Sequence, residues 1–231
     1  MRKGVQKIFS EVAKTYELIN HILTFGLDIL WRKKAAHQAA RANGSLWLDV
    51  CSGTGEMALN LSRLAGEKVK IVSVDFSAPM MARALRKKDM KNFLFVLADA
   101  RCLPFPDQTF DLITISFATR NITPRKEILD KHLQEFYRLL KPGGRFVNLE
   151  TSQPSSKIIR KLFHIYIQLA VKYLGFLLSG SKAGYSQGYV EIGHNYLISL
   201  RKKISLDFPP HLLYKEGHEQ RVLGGASLAG G

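Results

Sequence analysis

The stretch that predicts the fold is residues 46–55, LWLDVCSGTG, in which a short apolar run ends in a glycine-rich turn. Four further runs rich in β-branched or aromatic residues follow it, at 69–75, 93–99, 112–117 and 145–150. Helical patterns separate these runs, notably at 55–65, 78–88 and 124–140. Apolar strands that alternate with helices are typical of a parallel sheet covered on both faces. We therefore predict an α/β fold with a Rossmann-like, doubly wound, mostly parallel sheet.

Two regions lie outside that alternating core. Residues 5–42 have the pattern of one or two amphipathic helices, broken near Thr24-Phe25-Gly26. Residues 157–178 predict a long apolar helix, but His164, Gln168 and Lys172 make it too polar for a membrane span. A buried or interfacial helix is the better interpretation.

The sequence Lys141-Pro142-Gly143-Gly144 predicts the end of a helix and a turn before the fifth strand. At the chain's end, the Gly- and Ala-rich residues 224–231 predict a mobile segment.

Composition limits the classes of protein. With 231 residues, 46% of them hydrophobic and 23% charged, the chain is typical of one soluble globular domain. The two cysteines indicate neither a disulfide framework nor a zinc site, so we expect no metal and a cytoplasmic location. The net charge is +15, and residues 1–44 and 151–231 together hold 18 Lys and Arg against 7 Asp and Glu. Such flanks suit a nucleic acid or an anionic membrane surface, and equally a solvated surface.

Ligands of open parallel sheets bind beyond the carboxyl ends of the strands, and polar residues stand at those ends here. Gly53, Thr54 and Gly55 let the chain pass close to a ligand before a helix opens, whose N-terminus attracts negative charge. Asp49 precedes this turn and is placed to meet an ammonium group. In S-adenosylmethionine the methionine moiety carries both groups: its carboxylate would lie at the helix N-terminus, and its ammonium group would meet Asp49.

The later strand ends complete the predicted cofactor site. Asp75 is placed to accept hydrogen bonds from both ribose hydroxyls, Asp99 and the Ala100 amide to meet the adenine edge, and Ser116 to line the methionine end. The combination predicts S-adenosylmethionine as the cofactor. A purely structural alternative is that Asp75 and Asp99 only cap the helices that follow. A second alternative is a nicotinamide oxidoreductase, because Gly53-x-Gly55-x-x-Ala58 nearly matches the dinucleotide fingerprint.

Three stretches carry a resemblance to a known family. They are Tyr16-Glu17-Leu18-Ile19-Asn20 with 27–32 LDILWR, 103–107 LPFPD with 116–121 SFATRN, and 138–144 RLLKPGG through Glu150-Thr151-Ser152. In these motifs, over roughly residues 5–200, the chain resembles the ubiquinone/menaquinone biosynthesis C-methyltransferases. It departs from the family at His194, where a tyrosine is usual, although Tyr196 is retained. The segment after Phe208 is also shortened, so the C-terminal hairpin of the fold is expected to be truncated.

The resemblance implies transfer of a methyl group from S-adenosylmethionine to a ring carbon of a prenylated quinol. A base that takes a proton from a ring hydroxyl would assist. The candidates are His194 and Tyr196 in the first place, with Tyr16 and His21 beside them. The residues expected to bind the substrate are Tyr16, Asn20, Arg120 and Asn121.

The implied organisation is one methyltransferase domain over residues 1–231. Residues 1–44 would form a helical lid, 45–150 the cofactor-binding core, and 151–231 the substrate-side helices and C-terminal segment. Expected partners are a prenylated quinol or related aromatic and an anionic membrane surface, without nucleic acid, and homodimer formation is left open. The alternatives are a methyltransferase acting on RNA, on another prenylated aromatic or on another small molecule, and a cofactor-binding protein with impaired activity.

Overall fold

The structure is a computed structural model that describes residues 16–87, 93–122, 126–150 and 156–179. The helices in these ranges are α1 (Tyr16–Leu23), α2 (Leu27–Ala39), α3 (Glu56–Leu64), α4 (Ala78–Ala84), α5 (Thr119–Ile122), α6 (Lys126–Leu139) and α7 (Lys157–Ser179). The strands are β1 (Leu46–Val50), β2 (Lys70–Asp75), β3 (Phe93–Leu97), β4 (Phe110–Ser116) and β5 (Leu140–Leu149). The predicted residues 5–15 of the first helical region, the C-terminal hairpin and the mobile segment 224–231 lie outside the described residues.

The strands form one sheet in the order β3-β2-β1-β4-β5, and every pairing in it is parallel. The chain builds outward from β1 to β3 and then returns to the other side of β1 to add β4 and β5. The order of the strands therefore reverses between β1 and β4, which is where such sheets open a crevice for ligands. The predicted doubly wound parallel sheet is confirmed.

Helices cover both faces of the sheet, because neighbouring residues of a strand point to opposite sides. On one face, Leu48, Val72 and Ile113 of the central strands pack in a cluster with Leu133 and Phe136 of α6. All five side chains are buried, so this face forms a closed apolar layer.

The opposite face is covered by α2 and α3. Trp47 of β1 lies in a cluster with Ala35, Ala36 and Ala39 of α2 and with Met57 of α3. The three alanines are fully buried, and their small side chains allow α2 to lie close against the sheet. They follow the i, i+1, i+4 spacing of one helix face, but α2 as a whole does not have the amphipathic pattern predicted for this segment; that pattern is found in α1.

The predicted boundaries need correction at α4, which ends at Ala84 and not at residue 88, and at the fifth strand. Helix α6 ends at Leu139 as the Lys-Pro-Gly-Gly sequence predicts, but β5 begins at Leu140 and not at Arg145. Leu140 pairs with Phe110, and Arg145 pairs with Leu112, so residues 141–144 of β5 stand opposite Asp111 alone. The predicted turn is therefore a bulge inside the strand, with Gly143 at a φ of +76°.

Tertiary contacts divide the chain into two compact units. One contains residues 31–150 and holds the sheet; we call it the sheet unit. The other contains residues 16–30 and 156–179 of the described chain; we call it the helical unit. Within the helical unit, Phe25 stacks on Tyr166 with ring centroids 4.1 Å apart, and the Tyr166 hydroxyl donates a hydrogen bond to the Ile22 carbonyl. Among the described helices, none has the length and apolarity needed to cross a membrane.

One carboxylate joins the start of β1 to β5. Asp111 accepts hydrogen bonds from the amides of Ser45 and Leu46, both at 3.0 Å, and from Lys141 Nζ at 2.8 Å. Gly44 has a φ of +99°, and a Cβ there would lie 2.1 Å from Asp111 Cγ, so glycine is required beside the carboxylate. Burial raises the pKa of Asp111, but the Lys141 hydrogen bond and the two amides outweigh it and hold that pKa below its usual range.

We expect Asp111→Ala to lower the free energy of unfolding by about 1–3 kcal/mol at pH 7, because two backbone donors lose their acceptor. The folded-state pKa of Asp111 is lowered, so its contribution is complete above about pH 4 and lost as the pH falls further. Urea titrations between pH 7 and pH 3 should therefore show the difference from wild type shrinking in acid. Glu67→Ala, at an exposed acid, is the control and should stay close to wild type.

Candidate functional site

The predicted polar residues lie at one edge of the sheet. Asp49 is the next-to-last residue of β1, Asp75 the last of β2 and Ser116 the last of β4. Asp99 lies two residues beyond the end of β3. Because the strands are parallel, their carboxyl ends meet at the same edge, and these side chains share it.

The turn after β1 is fastened to the end of β2. The Ser52 amide donates to the Val74 carbonyl at 3.0 Å, and the Gly53 amide donates to Asp75 Oδ2 at 2.7 Å. Gly55 has a φ of +79° and is the N-cap residue of α3. A Cβ built at Gly53 would meet no atom within 4 Å, so this side of the turn is open. Thr54 between the two glycines is buried.

Asp75 is a buried carboxylate held by backbone amides. Its Oδ1 accepts a hydrogen bond from the Ser77 amide at 2.8 Å, beside the Gly53 contact of Oδ2. Burial raises the pKa of Asp75, and the amides of Ser77, Gly53 and Phe76 oppose that rise. The contact with Ser77 lies at the start of α4, whereas the contact with Gly53 reaches across to another strand. Asp75 therefore does more than cap a helix, and a carboxylate with about four lone-pair sites can still accept further hydrogen bonds.

Asp49 is completely buried on the face of the sheet that α2 and α3 cover. Its Oδ1 accepts a hydrogen bond from Thr114 Oγ1 at 2.8 Å, while Oδ2 has no hydrogen-bonding partner among the described residues. Burial raises the pKa of Asp49 from 3.8 to about 7, against the opposing effects of Thr114, the Ala58 amide and the charge of Arg32. The group is thus a buried acid that titrates near neutrality and keeps one oxygen for a further donor.

Asp99 is more exposed than the other two acids. Its carboxylate accepts hydrogen bonds from Arg101 Nε at 3.0 Å and from the Arg101 amide at 3.1 Å. The element after Asp99 is β4, so the alternative that Asp99 caps a following helix does not apply. Ala100 is buried, and the Ala98 amide donates to the Asp75 carbonyl at 3.0 Å, which ties this segment to the end of β2.

The end of β4 lies at the same edge of the sheet, on the opposite side of β1 from β2. Phe117, next to Ser116, has a φ of +54° and donates its amide hydrogen to the Leu149 carbonyl at 2.7 Å. Thr119 Oγ1 donates to Asn148 Oδ1 at 2.9 Å, and both side chains are buried. Arg120 and Asn121, predicted to bind substrate, lie in α5 directly after this pair.

The remaining predicted residues belong to the helical unit or lie outside the described residues. Tyr16 begins α1, and Asn20 is a buried residue of the same helix. His21 Nδ1 lies 2.9 Å from Asp28 Oδ2, and Thr24 Oγ1 donates to Asp28 Oδ1 at 2.8 Å. The predicted catalytic residues are not among those described: His194 and Tyr196 both lie beyond residue 179.

Three polar residues of these clusters had no predicted role. Thr114 holds Asp49, Asp28 orients His21, and Arg32 lies near Asp49. A signal for Arg32 existed, because it is three residues before Ala35 and seven before Ala39, on the buried face of α2. Thr114 stands among isoleucines in a buried strand, where a hydroxyl requires a hydrogen-bond partner.

The described residues fit an S-adenosylated amino acid. Asp49 Oδ2 is a buried acceptor without a partner in the described chain, and so are the hydroxyl oxygens of Ser52 and Ser77. The turn between β1 and α3 is open at Gly53, where an added Cβ would meet no atom within 4 Å. An acceptor for an ammonium group, a carboxylate for hydroxyls and an open turn therefore lie along one edge.

The pKa of Asp49 leads to a stability prediction for the protein without ligand. Its folded-state pKa of about 7 is above the value of 3.8 expected for the unfolded chain. Folding therefore favours the protonated acid: the stabilisation is complete below about pH 4 and is lost as the pH rises through 7. Asp49→Asn is neutral at every pH and keeps an acceptor for Thr114.

We expect Asp49→Asn to melt a few degrees above wild type at pH 8, with the difference shrinking toward pH 5, since a charged carboxylate is no longer buried. Thermal unfolding, followed by fluorescence between pH 5 and 8, measures this difference in melting temperature. Glu67→Gln removes the same charge at an exposed site and should show no such trend. A difference that is constant with pH would contradict the assigned titration.

Comparison with known proteins identifies the chain's relatives. A demethylmenaquinone methyltransferase of Thermus thermophilus is 39% identical over 180 residues, which cover 77% of this chain and 80% of that protein. The ubiquinone/menaquinone biosynthesis C-methyltransferase UbiE of Francisella tularensis subsp. holarctica is 35% identical over 188 residues, covering 80% and 74%.

Solved structures agree with the fold. A putative S-adenosyl-L-methionine-dependent methyltransferase of Methanococcus maripaludis superposes with a TM-score of 0.52 at 21% identity, covering 82% of this chain and 83% of that one. The sequence matches the ubiE/COQ5 methyltransferase family over residues 1–191. The chain therefore belongs to the ubiE/COQ5 methyltransferase family and is a methyltransferase whose methyl donor is S-adenosylmethionine.

Proposed function

We propose that the enzyme methylates a ring carbon of a prenylated quinol, as a step in the biosynthesis of menaquinone- or ubiquinone-type quinones. The relatives named for demethylmenaquinone and for ubiquinone/menaquinone C-methylation support this acceptor class. The observation that carries the proposal is the edge that joins Asp49, the open Gly53 turn and Asp75 in a chain of this family.

The proposed cofactor contacts follow the strand ends. Asp49 accepts from the methionine ammonium, and its unpartnered Oδ2 supports this role. Asp75 accepts from the ribose hydroxyls through its remaining lone pairs, and Asp99 with the Ala100 amide meets the adenine.

The other proposed contacts surround the methionine moiety. Gly53, Thr54 and Gly55 form the turn beneath it, and Ser116 lines its end. The N-terminus of α3, which Gly55 caps, carries the partial positive charge that attracts the methionine carboxylate.

S-adenosylmethionine supplies a methyl group that is already activated on a sulfonium. The protein's own contribution is then to orient the acceptor, exclude water and accept a proton from a ring hydroxyl. His194 and Tyr196 remain the predicted proton acceptors. His21 is a further candidate, supported by a buried carboxylate, Asp28, that contacts Nδ1 and would leave Nε2 to take a proton. Tyr16, Asn20, Arg120 and Asn121 remain the predicted substrate contacts.

We expect isotope-labelled S-adenosylmethionine to transfer its methyl to a prenylated quinol when the full chain is incubated with lipid extract containing demethylated quinols. Mass spectrometry of the extract identifies the acceptor, whether quinol or another prenylated aromatic. Asp75→Ala is the matched inactive control, expected to lose most of the turnover because the ribose contacts are removed. Label in no lipid, while the cofactor still binds, would favour a cofactor-binding protein with impaired activity.

A membrane-bound substrate suggests a membrane-facing surface, and α7 supports one. Between Lys157 and Ser179 it has no acidic residue. Four of its exposed hydrophobic side chains recur at three- and four-residue spacing along one face, at Ile158, Leu162, Ile165 and Leu169, and Ile159 is exposed next to the first of them. Lys157, Arg160 and Lys161 add positive charge to the same helix. We propose that this face contacts an anionic membrane, with the chain otherwise cytoplasmic. A homodimer and the single-domain organisation over 1–231 also stay predictions.

We expect Leu162→Glu to reduce, by several-fold, the fraction of protein that floats with vesicles containing phosphatidylglycerol, because a charge enters the apolar face. Leu85→Glu is the control, since Leu85 is 60% exposed and Leu162 62%. Equal flotation of both variants, or equal binding of wild type to neutral and anionic vesicles, would argue against the proposed membrane surface.

A further inference from the structure

Arg32 is a charged residue on the buried face of α2. Only 6% of it is exposed, and a guanidinium keeps its proton at any pH a protein tolerates. Burying such a charge requires groups that offset it. Its place in the chain, three residues before the buried Ala35, directs it to the same face of the sheet as Asp49.

The guanidinium lies at the end of β4. Its Cζ is 4.8 Å from the centroid of the Phe117 ring, which is the distance of a cation–π contact. Phe117 is itself fixed by its amide hydrogen bond to Leu149, and Trp31 packs against it with ring centroids 6.3 Å apart. The head group of Arg32 thus contacts the residue that follows Ser116, which is the last residue of β4.

A group of opposite charge lies on the neighbouring strand. Asp49 and Thr114 are paired residues of β1 and β4, and Thr114 occupies only one oxygen of the Asp49 carboxyl. The charge of Arg32 acts on Asp49 in the direction that favours ionisation. A positive and a negative side chain thus flank the β1–β4 switch point, and Asp49 Oδ2 has no partner within the described chain.

We propose that Arg32 binds the carboxylate of the methionine moiety of S-adenosylmethionine, while Asp49 binds its ammonium. The inference rests on the cofactor placement proposed above but not on the identity of the acceptor. An amino-acid zwitterion presents its two charges on neighbouring atoms, and a planar guanidinium can meet a carboxylate through two parallel hydrogen bonds. The bound carboxylate would meet both the guanidinium of Arg32 and the N-terminus of α3.

Two ligands that differ in one group separate this role from a purely structural one. S-adenosylhomocysteine carries both the carboxylate and the ammonium, whereas its decarboxylated form, S-adenosyl-3-thiopropylamine, lacks only the carboxylate. If Arg32 serves mainly to pack against Phe117, its replacement should weaken both ligands alike. If it binds the carboxylate, replacement should weaken only the first.

The experiment is equilibrium binding of both ligands to the full chain, measured by calorimetry for wild type, Arg32→Gln, Arg32→Lys and Asp49→Asn. We expect Arg32→Gln to weaken S-adenosylhomocysteine about 10- to 100-fold, as for a lost charge-assisted hydrogen bond, and the amine by less than about threefold. Arg32→Lys keeps the charge, so its affinity for S-adenosylhomocysteine should fall between those of wild type and Arg32→Gln. Asp49→Asn should weaken both ligands, because both carry the ammonium.

Equal losses for the two ligands in Arg32→Gln, or no loss for either, would overturn the proposal. If Arg32→Gln does not fold, the ratio of the two affinities in Arg32→Lys decides in the same way, and an unchanged ratio counts against us. Failure of wild type to bind either ligand would contradict the cofactor placement itself. Inactivity toward quinols with ligand selectivity intact would contradict only the proposed acceptor.

Discussion

The contact between the Asp75 carboxylate and the Gly53 amide holds the cofactor edge together. It joins the turn after β1 to the end of β2, and the second oxygen of the same carboxylate holds the Ser77 amide. The turn needs such support, because Cys51 has a φ of +54°, a backbone conformation that residues other than glycine rarely adopt. With the amides in place, Asp75 is both a structural acceptor and the proposed ribose ligand. A change there would disturb the shape of the loop together with the binding of the ribose.

The sheet and the strand-end acids were predictable because both depend on local patterns. Apolar runs mark buried strands, and parallel strands bring their last residues to one edge whatever their order. The bulge at 141–144 was not predictable, because it arises from the register between β5 and β4, where Asp111 faces four residues. Lys-Pro-Gly-Gly alone indicates a turn and does not indicate whether strand pairing resumes on both sides of it.

Side-chain partners within the site were harder to predict than positions along the edge. The pairing of Asp49 with Thr114 depends on which strand lies beside β1, and 65 residues separate the two. Asp28 and His21 are close in sequence, but their contact spans the helix break at Thr24 and depends on how sharply the chain turns there. Arg32 could be placed on a buried face from spacing alone, yet its neighbour Phe117 comes from a distant strand end. Local pattern thus predicts where polar groups lie, and tertiary pairing decides what they contact.

The buried acid of β1 has a thermodynamic consequence for ligand binding. Without ligand, Asp49 is about half protonated near pH 7, because burial raises its pKa to about that value. An ammonium group at Oδ2 would hold it as the carboxylate, so cofactor binding would expel a fraction of a proton into the solvent. By linkage, the cofactor affinity would then rise with pH across neutrality. The heat measured on binding would also depend on the ionisation enthalpy of the buffer, which makes the buffer itself a probe of this side chain.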